Sequence, residues 1–313
     1  MAVYTQISLQ EAQELFKFIG NVQSIEGITE GVENTNYLVR LENNQKFILT
    51  LFEKRTDKSD LPYFNDFMKK LNGDGVSCPL SQSISGKEIF TLKDKNCCIY
   101  SFIEGRPLNN IHKEHLVSLG QSVVKLHEAG EDRNLFRENN MLLPSWKMIT
   151  NSLGTGRDIN NKNEYHYILK NIENLQDLFP PNLRQFNIHA DLFPDNVFFI
   201  DKKVSGFIDF FFSCTDTLVY DLATLINAWF FENHKFNEEN YSYFLNSYLQ
   251  NFELKTEEKN CLNFYLKASA IRFFLTRTYD LHFNNEGEVK HKDPQDFFEI
   301  YRFHEKNNLQ DLF

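Results

Sequence analysis

The sequence predicts an α+β protein of two lobes, a β-rich N-lobe over residues 1–103 and a mainly helical C-lobe over residues 104–313. Before Gly105 the apolar residues come in short runs rich in Val, Ile, Thr, Tyr and Phe, broken by Gly and Asn, which is strand patterning. After Gly105 they recur at helical spacing over longer stretches. The chain has no internal repeat and no low-complexity tract, so repeat architectures are excluded.

The elements follow in order. Ser8-Leu9-Gln10-Glu11 is a capping box ahead of Leu15, Phe16 and Ile19, and Gly20 and Asn21 are expected to end that helix. "SIEGITEGVENTNYLVRL" and "KFILTLFEK" read as a strand meander. Asp60-Leu61-Pro62 opens a helix through about Leu71, with Pro62 in its first turn. "EIFTL" and "NCCIYSFIEG" are two further strands, with Cys97 and Cys98 as packing residues, and a short connection follows at 101–106. "HKEHLVSLGQSVVKLHEAG" puts Leu116, Leu119, Val123, Leu126 and His127 on one helix face and stops at Gly130. Residues 131–160 are polar and read as loop. Helical spacing returns at "EYHYILKNIENLQDLF", and two short strands, "NVFFI" and "VSGFIDF", come after. "TLVYDLATLINAWFF" is a buried helix, and three more helices close the chain.

Composition narrows the function classes. The 31 Phe residues argue for packed apolar interiors rather than disorder. A net charge of −10 without a basic block argues against nucleic-acid binding. An anionic ligand would then need a bound cation beside it. Cys78, Cys97, Cys98, Cys214 and Cys261 are odd in number and form no CxxC pair, so reduced cytoplasmic thiols are expected rather than disulfides or zinc. "MAVYTQISLQEAQELF" lacks the pattern of a signal peptide, and no run of about 18 apolar residues suggests a membrane span.

The chemistry concentrates at residues 189–196, "HADLFPDN". A plain turn needs one Pro and one Asn; this stretch adds His189, Asp191 and Asp195. Asp209 lies thirteen residues past Asn196, at the end of an apolar strand where a carboxylate is costly unless it binds something. A hairpin between them brings Asn196 and Asp209 together, with Asp191 on the loop leading in. Phosphoryl transfer needs this set: one carboxylate for the attacking hydroxyl, and an amide oxygen and second carboxylate for Mg2+.

"HADLFPDN … IDF" is similar to the kinase catalytic loop H-x-D-x-x-x-x-N and its metal-binding Asp-Phe. Ala190 after the His, and Phe211 where a Gly would follow, resemble the aminoglycoside phosphotransferase and choline kinase-like superfamily. Within it the chain resembles the second type of homoserine kinase, through "EGVENTNYLV", "FILTLFEKR", "DLPYF", "YDLA…NAWFF" and "RFFLTRTYD" as well. The resemblance implies a protein-kinase-like fold, ATP and Mg2+ as cofactors, and phosphorylation of L-homoserine in threonine biosynthesis. It implies Asp191 as catalytic base, His189 supporting it in the catalytic loop, and Asn196 and Asp209 on metal. Gly31, Asn34 and Asn36 in "EGVENTNY" would lie over the phosphates, and Ser101 to Ile103 would meet the adenine edge. There is no GxGxxG, and Thr50 takes the place of the usual strand-three Lys, with Lys54 and Arg55 further along.

Other readings stand beside these. Asn34 and Asn36 also suit a turn. Asp221 either favours a helix N-terminus or braces the catalytic loop. Arg272 and Arg277 either pair with surface acids or grip a substrate carboxylate. His127 suits a core position. The acceptor could instead be choline, an amino alcohol or an aminoglycoside, and a non-catalytic nucleotide-binding regulator is the alternative from another class.

Overall fold

The structure is a computed structural model and describes residues 4–29, 34–53, 56–156, 159–176, 179–180, 183–283 and 292–309. Helix α1 (Leu9–Phe16) begins at the expected capping box: Ser8 Oγ accepts the Glu11 N–H, and the Glu11 carboxylate accepts the Ser8 N–H. It stops at Phe16, earlier than Gly20, because the N–H groups of Ile19 and Gly20 both turn back to the Phe16 carbonyl. Strands β1 (Val22–Ile28), β2 (Thr35–Leu41), β3 (Lys46–Leu51), β4 (Phe90–Leu92) and β5 (Lys95–Ser101) form one antiparallel sheet in the order β1-β2-β3-β5-β4. Between β3 and β4 lies α2 (Leu61–Gly73), with Pro62 in its first turn as expected.

The sheet's two faces go to different places. Val39, Leu49, Cys97 and Ile99 pack on α1 through Ala12 and Phe16. Cys98 and Tyr100, alternating with them along β5, join α2 and the helical core.

The helical part contains α3 (Lys113–Gly130), α4 (Leu143–Leu153), α5 (Lys162–Gln176), α6 (Leu218–Trp229), α7 (Glu238–Leu249), α8 (Thr256–Phe283) and α9 (Gln295–Lys306). Helix α4 corrects the loop expected over 131–160. Pro144 sits in its first turn, and Trp146, Ile149 and Leu153 recur at helical spacing on its buried side. Short ladders sit among the helices: β6 (Phe186–Ile188) pairs with β9 (Cys214–Asp216), β7 (Val197–Ile200) with β8 (Lys203–Phe207), and β10 (Phe231–Glu232) with β11 (Lys235–Phe236). β6 and β9 are missing from the sequence expectation because three residues carry no usable period.

The connection after β5 is fastened to the β7–β8 hairpin. Arg106 and Phe199 exchange backbone hydrogen bonds, and Ser205 Oγ donates to Glu104 O. Gly105 has φ +119, and a Cβ there would lie 2.3 Å from Ser205 Oγ, so glycine is required for this approach.

Candidate active site

Strand β6 delivers the chain to His189, and the next two peptide groups are fixed from α6. Asp221, fully buried in the first turn of that helix, accepts the N–H of His189 at 3.1 Å and of Ala190 at 2.7 Å. Bracing the loop is therefore its role, and His127, buried as expected, meets the same carboxylate at 3.3 Å through Nε2. Ala190 holds φ +63, a left-handed conformation that a non-glycine residue keeps only when its surroundings enforce it.

His189 is buried and committed at both ring nitrogens. Nδ1 accepts the Asp191 N–H at 3.3 Å, and Nε2 donates to the Ile208 carbonyl at 2.9 Å. Those partners define a neutral tautomer. Burial pushes its pKa down, against the pull of Asp221. With no nitrogen left for proton transfer, His189 positions the loop and is not itself catalytic.

The Asp191 side chain is 15% exposed. The turn Pro194–Asn196 brings Asn196 back, and its Nδ2 donates to Asp191 O at 2.8 Å and to Asp191 Oδ2 at 3.0 Å. That orientation puts the Asn196 amide oxygen on the other side of the group. In the β7–β8 hairpin Val197 pairs with Phe207, and the Ile208 N–H reaches Asn196 O at 2.9 Å. Asp209 is the next residue, exposed and at φ +64. The loop thus bonds Asn196 to Asp191, and the hairpin puts Asp209 one residue past the bond from Ile208 to Asn196.

The residues after Asp209 close the gap to the N-lobe. Phe210 lies 4.5 Å from the His189 ring and 5.9 Å from Phe67. Phe211 sits among Phe52, Phe64 and Tyr100 at 5.0, 5.8 and 6.0 Å. An aromatic in place of the usual Gly fills the space between α2, the sheet and the loop of His189 to Asn196.

Other expected site residues fare differently. Arg272, expected at the surface or gripping a substrate carboxylate, is 2% exposed. Its Nη1 donates to Ala190 O at 2.5 Å and to Tyr220 Oη at 2.9 Å, so those donors are spent inside the protein. Arg277 Nη1 likewise donates to Asp293 O and to the Asp296 carboxylate at the start of α9. Ser101 donates its N–H to Leu80 O and accepts the Leu80 N–H at Oγ, so its N–H is not offered to an adenine edge. Ile103 packs toward Gly206 of the hairpin. Asn34 is buried at the start of β2, and Asn36 Oδ1 accepts from Thr50 Oγ1 at 2.7 Å. Gly31, Lys54 and Arg55 lie outside the described residues.

Sequence reasoning missed Arg137. Its Nε donates to Asp60 at 2.8 Å and its Nη1 to Ser213 O at 3.0 Å, tying the start of α2 to the segment after Phe212. Nothing local marks it, since both partners are more than 75 residues away in sequence.

A β-rich lobe over a helical lobe, with this Asp–Asn–Asp set at a hairpin mouth, defines a kinase-like phosphotransferase. The model of the family described as "Phosphotransferase enzyme family" matches residues 24–249. A homoserine kinase of Paramagnetospirillum magneticum is 38% identical over 316 residues, covering 97% of each chain. One of Brucella anthropi is 39% identical over 312 residues, covering 97% of this chain and 94% of its own. The chain belongs to the phosphotransferase enzyme family and, within it, to the homoserine kinases. Among solved structures, an amicoumacin kinase in complex with AMP-PNP and Ca2+ superposes with TM-score 0.71 at 17% identity, covering 96% of this chain and 93% of its own. A spectinomycin phosphotransferase does so with TM-score 0.70 at 17% identity, covering 96% and 95%. At that identity they establish the fold.

Proposed function

We propose that the protein transfers the γ-phosphoryl group of ATP to the side-chain hydroxyl of L-homoserine. The observation that carries the reaction class is the Asp191 carboxylate, held by Asn196 on a loop fixed by Asp221, with Asp209 following the β7–β8 hairpin that Asn196 opens. The acceptor rests on full-length relatives named homoserine kinase.

Asp191 receives the acceptor's hydroxyl proton as the oxygen attacks the γ-phosphorus, and ADP leaves. Asn196 Oδ1 and the Asp209 carboxylate are hard oxygen donors that fit Mg2+. Among the described residues no group of three or more His, Cys, Asp and Glu could hold a metal by itself. Two protein ligands suffice here, because Mg2+ is commonly held by one or two side chains together with substrate phosphates. When bound, Mg2+ would neutralise charge on the phosphates. The nucleotide would lie between the lobes, covered by residues 1–103, while residues 104–313 carry the catalytic loop and the acceptor site. We place the protein in the cytoplasm, supported by its five free cysteines. No described helix is long and apolar enough to cross a membrane.

An ADP-release assay with ATP and Mg2+ tests this, run in parallel with L-homoserine, L-threonine, L-serine, choline and kanamycin. A rate with L-homoserine far above the rest is expected, and Asp191→Asn should abolish it while ATP still binds. A faster rate with another acceptor would overturn the substrate, and silence with ATP bound would overturn catalysis.

A further inference from the structure

Arg272 is among the largest fully buried side chains. A buried guanidinium is costly, and an apolar residue of similar volume often serves stability as well or better. Its position in α8 therefore calls for a use other than packing. Its charge is met by the faces of Phe273, Phe212 and Tyr220 at 4.5, 5.1 and 5.9 Å, and by the Asp191 carboxylate.

The two ends of its fork do different things. Nη1 takes the Ala190 carbonyl, whose residue is held on its other side by Asp221. The left-handed Ala190 is thus clamped from α6 through its N–H and from α8 through its C=O. That peptide aims the next residue, Asp191. Nη2 stands 3.8 Å from Asp191 Oδ1, while Asn196 donates to Oδ2. The two carboxylate oxygens have different neighbours, so the rotation of the group is set.

We propose that Arg272 is a positioning residue for phosphoryl transfer: it fixes the Ala190–Asp191 peptide and orients the Asp191 carboxylate toward the acceptor hydroxyl. This rests on the reading of Asp191 as the group that receives the acceptor's proton. It replaces the role of Arg272 as a grip on a substrate carboxylate.

The test compares Arg272→Gln, Arg272→Lys and Tyr220→Phe, measuring kcat and the KM for ATP and for L-homoserine. A small displacement of a catalytic group costs on the order of 100-fold, so Arg272→Gln should lower kcat by about that factor while both KM values move less than about threefold. Arg272→Lys keeps the charge and one donor and should recover about tenfold of that loss. Tyr220→Phe removes only the hydroxyl beside Nη1 and should lower kcat without raising either KM. It also reports if Arg272→Gln does not fold. A rise in the L-homoserine KM with kcat intact would overturn the proposal in favour of a substrate grip. Wild-type kcat in the variants that fold would overturn it outright. Asp191→Asn separates the two readings. Wild-type turnover there removes the catalytic assignment itself. Lost turnover there, with Arg272 variants as fast as wild type, removes only the positioning role.

Discussion

Asp221 Oδ1 accepts the backbone N–H of Ala190 at 2.7 Å, from a helix 31 residues further along the chain. The same carboxylate takes the N–H of His189, so one side chain satisfies two consecutive buried donors. Asp221→Ala should strand both. Each unsatisfied donor costs about 1–3 kcal/mol, and turnover should fall more steeply than stability because the loop carries Asp191. Denaturant unfolding and the ADP-release rate, measured on the same preparation, check this.

Phe211→Gly restores the residue that follows the Asp-Phe pair in the kinase pattern the sequence resembles. It also empties the space among Phe52, Phe64 and Tyr100. Loss of a packed Phe costs about 3–5 kcal/mol when fully buried, and Phe211 is partly buried, so the lower end applies. A fall in the urea midpoint with a weaker ATP KM is the expected outcome.

Thr50, the β3 residue that the resemblance sets where kinases carry Lys, is 2% exposed and donates to Asn36. Thr50→Val should cost about 1 kcal/mol through the lost hydrogen bond. Thr50→Lys must bury an unpaired ammonium and should be worse, with no gain in kcat/KM for ATP. A gain would mean that this strand still has room for a phosphate-pairing lysine.

His304 gives the protein an acid-sensitive term. It is 1% exposed, Nε2 is paired with Asn227 Oδ1 at 2.8 Å, and Nδ1 has no hydrogen-bond partner among the described residues. Burial, with help from Lys267, pushes its pKa down from 6.5 to about 3. The folded state thus holds the proton less tightly than the unfolded chain. Stability is complete above about pH 6.5 and falls as pH drops toward 3, by about 1.4 kcal/mol per pH unit. His189, also depressed by burial, acts in the same direction. His304→Gln should flatten the fall in stability between pH 7 and pH 5, read by urea unfolding at both.

What was legible in the sequence was local. The Ser8–Glu11 box, Pro62 in the first turn of α2 and the spacing from His189 to Asn196 each need only a few consecutive residues, and the structure places them as read. Helix α4 was hidden because Lys147, Thr150, Asn151 and Ser152 dilute the spacing of Trp146, Ile149 and Leu153. The surroundings of Arg272 could not be read at all. Ala190 lies 82 residues away, and a sequence window around α8 shows only an arginine on an apolar helix. The left-handed Ala190 has the same origin, since its conformation is imposed by two distant helices.

Helix α2 belongs to the first hundred residues, but its buried side, Tyr63, Phe64, Phe67 and Leu71, shares a continuous core with α3 and α6. Tyr63 donates to Asn187 at 3.0 Å, two residues before His189, and Arg137 holds the helix start at Asp60. The β-rich part before Gly105 therefore does not close a core of its own on the α2 side. Cut free, they would present Phe64, Phe67 and Tyr100 to water. The intact chain should therefore lose sheet and helices in one melting transition, read by circular dichroism, because the aromatic rings packed between α2, the sheet and the loop of His189 to Asn196 are the seam that joins its two parts.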